Sequence, residues 1–355
     1  MKWFKDDRVL IVGECGINHD GSLDQALRLI DLCADSGCDV AKFQIFKARE
    51  MYPRDAGQYR IAKGGTVDIY KTVESMETPE EWIPILMRHS KERDLGFLMT
   101  PGDMESMEVY LKYNPEILKV SSYEISHLEL FKAAGATNLP FIFSTASSCL
   151  GDIEEALASH GGSGEVCVMH CNGKYPTDPE MVNMNVLRTL KLAFPSTVLG
   201  FSDHTTDPIE APVAAVALGA RVVEKHITLN KNLPGPDHSF AVDPEELKRM
   251  VTAIRETENK VRIGEKVDIS PRVLGETVKK TQTKEEYLRR FAFRSIFSRM
   301  AISEGEVFSR ENLAILRGGE KGTGLHPRYL EALLGKRAPV NIGCGEAITL
   351  DRLLS

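Results

Sequence analysis

Two histidines end successive β-branched runs: His204 in VLGFSDHTTDP (198–208) and His226 in VVEKHITLNKNLPGPDHSF (222–240). Neutral imidazole is a good donor to Mn, Fe, Co or Zn. Side chains alternate along a strand, so Ser202 shares a face with His204, and Glu224 shares one with His226. Glu14 ends the first such run, VLIVGECG (9–16). In a closed barrel the first strand lies beside the last, so His204, His226 and Glu14 read as an open Lewis-acid site. The competing reading is two unconnected strand-end histidines. Two histidines and a carboxylate also suit non-haem iron oxygenases, but those sit on double-stranded β-helices, which the alternating pattern here does not resemble. Cys167 and Cys171 share a strand face without further thiolates nearby, and read as core packing.

Lys42 in DVAKFQIF (39–46) and Lys119 in ILKVSS (117–122) point to the same end of the molecule from different runs. Two ammonium groups beside a metal repel unless an anion lies between them. Thr100, Ser122, Ser144 and Ser202 add hydroxyls. Lysines with hydroxyls make a phosphate site, here without a Walker-type loop. A Schiff-base lysine at position 42 or 119 is the other enzymatic reading; the histidine pair argues against it, since such chemistry needs no metal.

The elements that must hold these groups are short apolar runs alternating with amphipathic stretches. Further runs are LGFLMT (95–100), PFIFST (140–145) and VCVMHC (166–171). Ser22 is placed to cap one helix. Thr78-Pro-Glu-Glu-Trp is placed to open another, with a cap, a first-turn proline and acidic residues against the dipole. Asp243-Pro-Glu-Glu-Leu opens the last helix, which ends near Ile263. Eight strand–helix units in about 250 residues are the count and length of a TIM (β/α)8 barrel; an open doubly wound sheet is the runner-up. The barrel is favoured because polar residues recur at strand ends throughout: Glu14, Lys42, Gln44, Thr100, Lys119, Ser122, Ser144, His170, His204 and His226. A barrel gathers them into one mouth. The long link 47–95 is expected to carry substrate contacts. Residues 1–263 thus form the barrel. Residues 264–289, polar and lysine-rich at first with no clear period, form a linker. Residues 290–355 form a compact β-rich second domain.

The 355 residues carry a net charge of −7, with 42% hydrophobic and 27% charged residues. That balance argues against nucleic acid and anionic membrane as partners, though a cleft can still be locally basic. No membrane span or signal peptide is evident, so the cytoplasm is the default location. Seven cysteines, an odd number scattered through apolar runs, read as buried thiols.

Taken in order, GECGINHDGSLDQA, VAKFQ, LKVSSYEISHLEL, IFSTA, MHCNGKYPT, GFSDHT, VEKHIT and LPGPDHSF resemble the sialic acid synthase family. The C-terminal RSIF, EGE, NL, LR and GLHPR elements resemble its antifreeze-like (SAF, β-clip) domain. REMY, SYEISHL and GLHPR look most like the branch named for a bacterial spore-coat polysaccharide protein. The resemblance implies condensation of phosphoenolpyruvate with an open-chain N-acyl-aminohexose, giving a nine-carbon 2-keto-3-deoxy acid and phosphate. It implies a divalent metal, usually Mn2+, on His204 and His226, with Glu14 in the same region. Phosphoenolpyruvate contacts carry over to Lys42, Thr100, Lys119, Ser122, Ser144 and Ser202. Sugar contacts carry over to Gln44, Glu124, Tyr175 and Asp237. Arg317 would reach the site from the partner subunit of a homodimer, whose SAF domain caps the barrel. There are two departures. The family has Asn or Ser two residues before the tyrosine of its HC…YP motif, where this chain has Gly173, so Asn172 or Lys174 is the expected replacement donor. The linker is also longer than the family's.

Three functions compete: a metal-dependent phosphoenolpyruvate–aldose synthase, favoured; another phosphoenolpyruvate barrel enzyme of the arabino-heptulosonate or octulosonate type; and a non-enzymatic scaffold with a binding module. N-acetylmannosamine is the expected type of sugar, with legionaminic- or pseudaminic-acid precursors as the alternative.

Overall fold

The computed structural model describes residues 3–4, 8–60 and 65–354. Eight parallel strands organise the larger part: β1 (Leu10–Gly16), β2 (Val40–Ile45), β3 (Gly96–Pro101), β4 (Leu118–Val120), β5 (Phe141–Ser144), β6 (Val166–Cys171), β7 (Val198–Asp203) and β8 (Val222–His226). The ladder runs β3-β2-β1-β8-β7-β6-β5-β4, and its two ends lie side by side to complete the barrel. Helices α1 (Leu23–Ser36), α2 (Ile83–Glu92), α3 (Met104–Leu111), α4 (Leu128–Thr137), α5 (Leu150–His160), α6 (Val186–Ala193), α7 (Glu210–Ala217) and α8 (Pro244–Arg262) surround it. This is the predicted TIM-type barrel. No helix among the described residues is long and apolar enough to cross a membrane.

The alternation of the strands explains why the mouth is polar. Lower inward positions are filled by Val12, Val40, Leu98, Ile117, Ile142, Cys167 and Val222, packed with Trp3 and Phe4. Two residues further on, the same faces carry Glu14, Lys42, Thr100, Lys119, Ser144 and Glu224. Register sets the neighbours: Glu14 lies beside His226 and Lys42, Gln44 beside Thr100, and Ser202 beside Glu224. The outward faces of the strands pack on the helices through Ile11, Phe43, Phe143, Phe201 and Val223.

Local expectations hold at Ser22, whose side chain accepts from Gln25 N, and at Asp243, which forms a capping box with Glu246. Thr78 is different. Its hydroxyl donates to Gln44 O at 2.9 Å and lies 3.1 Å from His19 Nε2, so it ties a loop to β2 and caps no helix. Five cysteines are buried as expected, but Cys149 and Cys344 are exposed. Within the 47–95 link, Gln58–Arg60 and Thr66–Asp68 form an antiparallel hairpin.

The small domain pairs β9 (Arg294–Ser298) with β10 (Leu313–Arg317) antiparallel. Isolated bridges at Ile302–Ile342 and Val307–Arg337 close it over Ile296, Phe308, Leu313, Leu330 and Leu333. The segment leading to it is packed, not free. Met184 N donates to Val273 O at 2.7 Å, Val273 joins the barrel core, and helix Glu286–Ala292 puts Phe291 and Ala292 against Tyr52 and Tyr70. Its contacts mix backbone hydrogen bonds, single side-chain bonds to loop carbonyls and isolated apolar anchors, which leaves no period in the sequence.

That path returns the small domain to its own barrel. Arg299 bonds both oxygens of Glu50 at 2.7 and 2.9 Å. Arg310 reaches Glu129 at 2.6 Å and Arg328 reaches Glu155 at 2.7 Å. Arg294 is fully buried and donates to Glu124, to Glu50 O and Gly102 O, and to Ile315 O at 3.0 Å. Arg317 donates to the other oxygen of Glu124. Within the single chain this sets the Arg317 guanidinium on the Glu124 carboxylate. Burial alone would raise the Glu124 pKa, but Arg294 and Arg317 outweigh it and hold the carboxyl below its usual value.

Arg294→Ala would leave the Glu124 carboxylate buried with one partner and strip three carbonyls of a donor. Loss of one member of a buried pair costs about 3–5 kcal/mol. Urea unfolding should show that loss, with proteolysis cutting 264–293 first; an unchanged midpoint and proteolytic pattern would contradict it.

Candidate active site at the barrel mouth

The centre of the mouth is a buried charge network. Lys42 Nζ lies 2.7 Å from Glu14 Oε2 and 3.5 Å from Glu224 Oε1, and donates to Thr100 Oγ1 at 3.3 Å. Lys119 Nζ donates to the same Glu224 oxygen at 2.9 Å, and Ser202 Oγ does so at 3.1 Å. Gln44 Nε2 donates to Glu14 Oε1 at 2.6 Å. The anion that two facing lysines demand is therefore Glu224, a residue the sequence placed on the His226 face without giving it a role.

The energetics follow from burial. Desolvation would raise the Glu224 pKa, yet Lys119 and Lys42 drive it down to about 2. Desolvation lowers Lys119, with Glu224 offsetting part of the drop. For Lys42 the two carboxylates overcome desolvation and raise it. Two cations and two carboxylates balance, so this low-dielectric pocket keeps its charges without a ligand.

The histidines stand at the rim of the network, ring centroids 5.6 Å apart. His204 Nδ1 lies 2.6 Å from Asn172 O, which fixes the ring proton there and leaves Nε2 as a lone pair. His226 Nδ1 has no hydrogen-bond partner among the described residues; the Asp237 carboxylate lies 3.6 Å away. Burial lowers both pKa values, His226 further because His204 is close. Two neutral imidazoles with available nitrogens fit a divalent ion. Glu14 is engaged by Lys42 and Gln44, and among the described residues no group of three or more His, Cys, Asp or Glu is arranged for an ion.

Tyr175 covers the pair, its ring 3.9 Å from that of His204. Burial, with Glu14 adding repulsion, pushes the Asp237 carboxyl up to about 7. Ser122 Oγ accepts from Ala146 N at 2.9 Å, and Ser144 Oγ lies 3.9 Å from Met169 Sδ. Arg317 lies 5.5 Å from the Tyr123 ring and 5.8 Å from that of Tyr52. Glu124 has both oxygens on arginines, so it holds the small domain in place. His170 lies outside the site, its Nε2 2.6 Å from Val182 O. Asn172 donates to Met181 O at 2.9 Å and Lys174 pairs with Asp178 at 2.7 Å, so neither fills the space opposite Gly173. Arg294 was missed altogether; its position at the head of RSIF was the only signal. A cavity of about 310 Å³ flanks the mouth, lined by Asp20, Thr72, Ser75, Met76 and Pro236.

Comparison with known proteins identifies the family of the chain. Residues 29–266 match the NeuB family and residues 293–354 match the SAF domain. The chain is 46% identical to the spore coat polysaccharide biosynthesis protein SpsE of Bacillus subtilis, over 99% of this chain and 95% of that one. The crystal structure of that protein superposes with a TM-score of 0.88 at 45% identity, covering 99% of this chain and 96% of the other. An N,N'-diacetyllegionaminic acid synthase of Campylobacter jejuni is 35% identical, over 94% and 97% of the two chains. A pseudaminic acid synthase of the same species is 31% identical, over 97% and 96%. The chain belongs to the NeuB family and carries that family's barrel together with a C-terminal SAF domain.

Proposed function

We propose that the chain condenses phosphoenolpyruvate with an open-chain N-acyl-aminohexose to give a sialic-acid-like nonulosonate and phosphate. The observation that carries this reading is the joining, in one mouth, of two neutral imidazoles and a buried lysine–hydroxyl set. Lys42, Lys119, Thr100, Ser122, Ser144 and Ser202 bind the phosphate and carboxylate of phosphoenolpyruvate. Gln44, Tyr175 and Asp237 face the sugar, and Arg317 closes over it. His204 and His226 hold a divalent ion, most simply Mn2+, which when bound polarises the aldehyde oxygen of the sugar.

The π pair of the enol forms the bond from carbon 3 to the aldehyde carbon; the aldehyde C=O π pair passes to its oxygen, which takes up the proton released by the added water, and carbon 2 becomes cationic. Water adds to carbon 2 and gives up a proton, for which Glu14 is the placed acceptor. The hydroxyl on the tetrahedral carbon then gives its proton to the departing phosphate as the C–O bond breaks and the 2-keto C=O bond forms. Lys42 and Lys119 face the departing phosphate and stabilise its charge. The sugar is of the N-acetylmannosamine type; the legionaminic- and pseudaminic-acid synthases among the relatives favour diacetamido-trideoxyhexoses as the second reading. The 310 Å³ cavity, walled partly by Thr72, Ser75 and Met76 of the long 47–95 link, is where the two would be told apart.

Phosphate release from phosphoenolpyruvate should depend on both the amino sugar and the metal. A panel of N-acetylmannosamine and diacetamido-trideoxyhexoses, run with chelator and then with added Mn2+, tests it. His204→Ala and His226→Ala should lose bound metal and turnover while keeping the fold. Full activity in metal-stripped protein would end this reading.

Lys119→Ala removes one cation from a desolvated charged contact, a loss of about 2–5 kcal/mol. It should weaken phosphoenolpyruvate binding by that amount and change sugar binding far less. An unaltered KM and kcat for phosphoenolpyruvate would mark the lysine as structural.

A further inference from the structure

Two sequence motifs, GINHDG (16–21 lie in its turn) and LPGPDHSF (233–240), meet beside the mouth. The loop after β8 leaves at Ile227 and returns at Val242, and these two residues pair at its base. From Leu229 to Asp237 none of its side chains is buried, and it contains no helix or strand. His238 is the first enclosed side chain, with no exposed surface. Its two ring nitrogens are both engaged. Nδ1 lies 2.7 Å from Thr228 Oγ1, and Nε2 lies 2.9 Å from Asp20 Oδ2. Threonine, histidine and aspartate stand here in the order of a nucleophilic triad. Thr228 is fully buried, however, and its hydroxyl also ties Asn230 at the foot of the loop. The row therefore orients and does not attack.

Asp20 is itself held. Gln25 Nε2, from α1, donates to the same Oδ2 at 3.0 Å and to Asn18 O at 2.7 Å. Asn18 Nδ2 donates to Ile227 O at 2.8 Å. Asp20 has a φ of +48°, a left-handed conformation that aspartate tolerates better than most side chains. The chain then passes closely over the contact: a Cβ on Gly235 would stand 2.4 Å from Asp20 Oδ1 and 2.9 Å from His238 Cδ2. The first and last loops of the barrel are thus joined by side chains where β1 meets β8.

The neighbours of His238 point the other way. Asp237 puts its carboxylate 3.6 Å from His226 Nδ1. Phe240 sets its ring 5.3 Å from that of His226 and 5.1 Å from that of Tyr175. In a loop without a ladder of its own, the one enclosed polar side chain decides how the residues beside it face.

We propose that His238 and Asp20 are positioning residues for the sugar half of the reaction: their contact holds the loop after β8 so that the Asp237 carboxylate stays turned toward His226 and the sugar. This rests on the proposed function above, which gives Asp237 to the sugar.

The test starts from Asp20→Ala in the full-length chain. The Asp20 side chain is 20% exposed, so its loss opens to water and leaves no closed cavity. Hydrogen exchange should quicken at Asn230 and Ala241, whose N–H groups are bonded within the loop, and stay unchanged along β7. The KM for the panel sugar with the highest wild-type turnover should rise about tenfold, the size of one hydrogen bond to a charged group. The KM for phosphoenolpyruvate should not move. His238→Gln keeps an amide N–H within reach of Asp20 and should stay near wild type. His238→Asn, whose amide reaches only Thr228, should match Asp20→Ala. The double variant Asp20→Ala/His238→Asn should be no worse than either single one, because both remove the same contact. Additive losses, equal rises in both KM values, or unchanged exchange in the loop overturn the positioning role. A wild type that turns over no sugar of the panel sinks the proposed function. The exchange of Asp20→Ala then decides the tie by itself: faster exchange in the loop upholds it, and wild-type exchange ends it.

Discussion

The Glu224 carboxylate between Lys42 and Lys119 is the constraint on which the rest of the site depends. Two ammonium groups cannot share a dry pocket without a counter-charge. Here one oxygen of Glu224 accepts from Lys119 and Ser202 and lies within 3.5 Å of Lys42. Glu14 closes the circuit on the other side of Lys42. Because the network is neutral, the barrel can hold reactive charges at fixed positions before any ligand arrives. The imidazoles, by contrast, lie at the rim of this network and are kept neutral by burial, so each retains a lone pair.

A second set of charges decides what covers the mouth. Glu124 takes Arg294 on one oxygen and Arg317 on the other, and Arg299, Arg310 and Arg328 reach Glu50, Glu129 and Glu155 around it. Exposed pairs of this kind contribute little one by one, but the Arg294–Glu124 contact is fully buried. It makes the small domain's orientation specific, and it makes that domain a wall of the site in the same chain.

Much of this could be read from sequence, for a definite reason. Period-two alternation and strand punctuation give away eight strands. The same alternation carries the polar layer that contains Glu14, Lys42, Lys119, His204 and His226. Which of those residues touch across the barrel is another matter, because it depends on strand tilt and stagger. Glu224 was therefore seen on the right face without its lysine partners. Arg294 looks like the start of an ordinary strand, and only tertiary structure buries it. Thr78 had every feature of a cap, yet its hydroxyl found a better acceptor on β2. Segment 264–289 has no period because its contacts, some from backbone, some from side chains and some apolar, are made one at a time to different loops.

The pairing of β1 with β8 sets Leu10 beside Val222 and Glu14 beside His226. On a ribosome, β1 emerges first and waits for its partner until almost the whole barrel has been made. Until then one edge of the sheet is open, and a non-local parallel pairing of this kind is slow to form and exposed to aggregation. The same ladder brings Glu14 to the imidazole of His226. A nascent chain therefore acquires its chemistry in the step that removes its exposed edge, and half-made copies are inert as catalysts for the same reason that they are vulnerable as polymers.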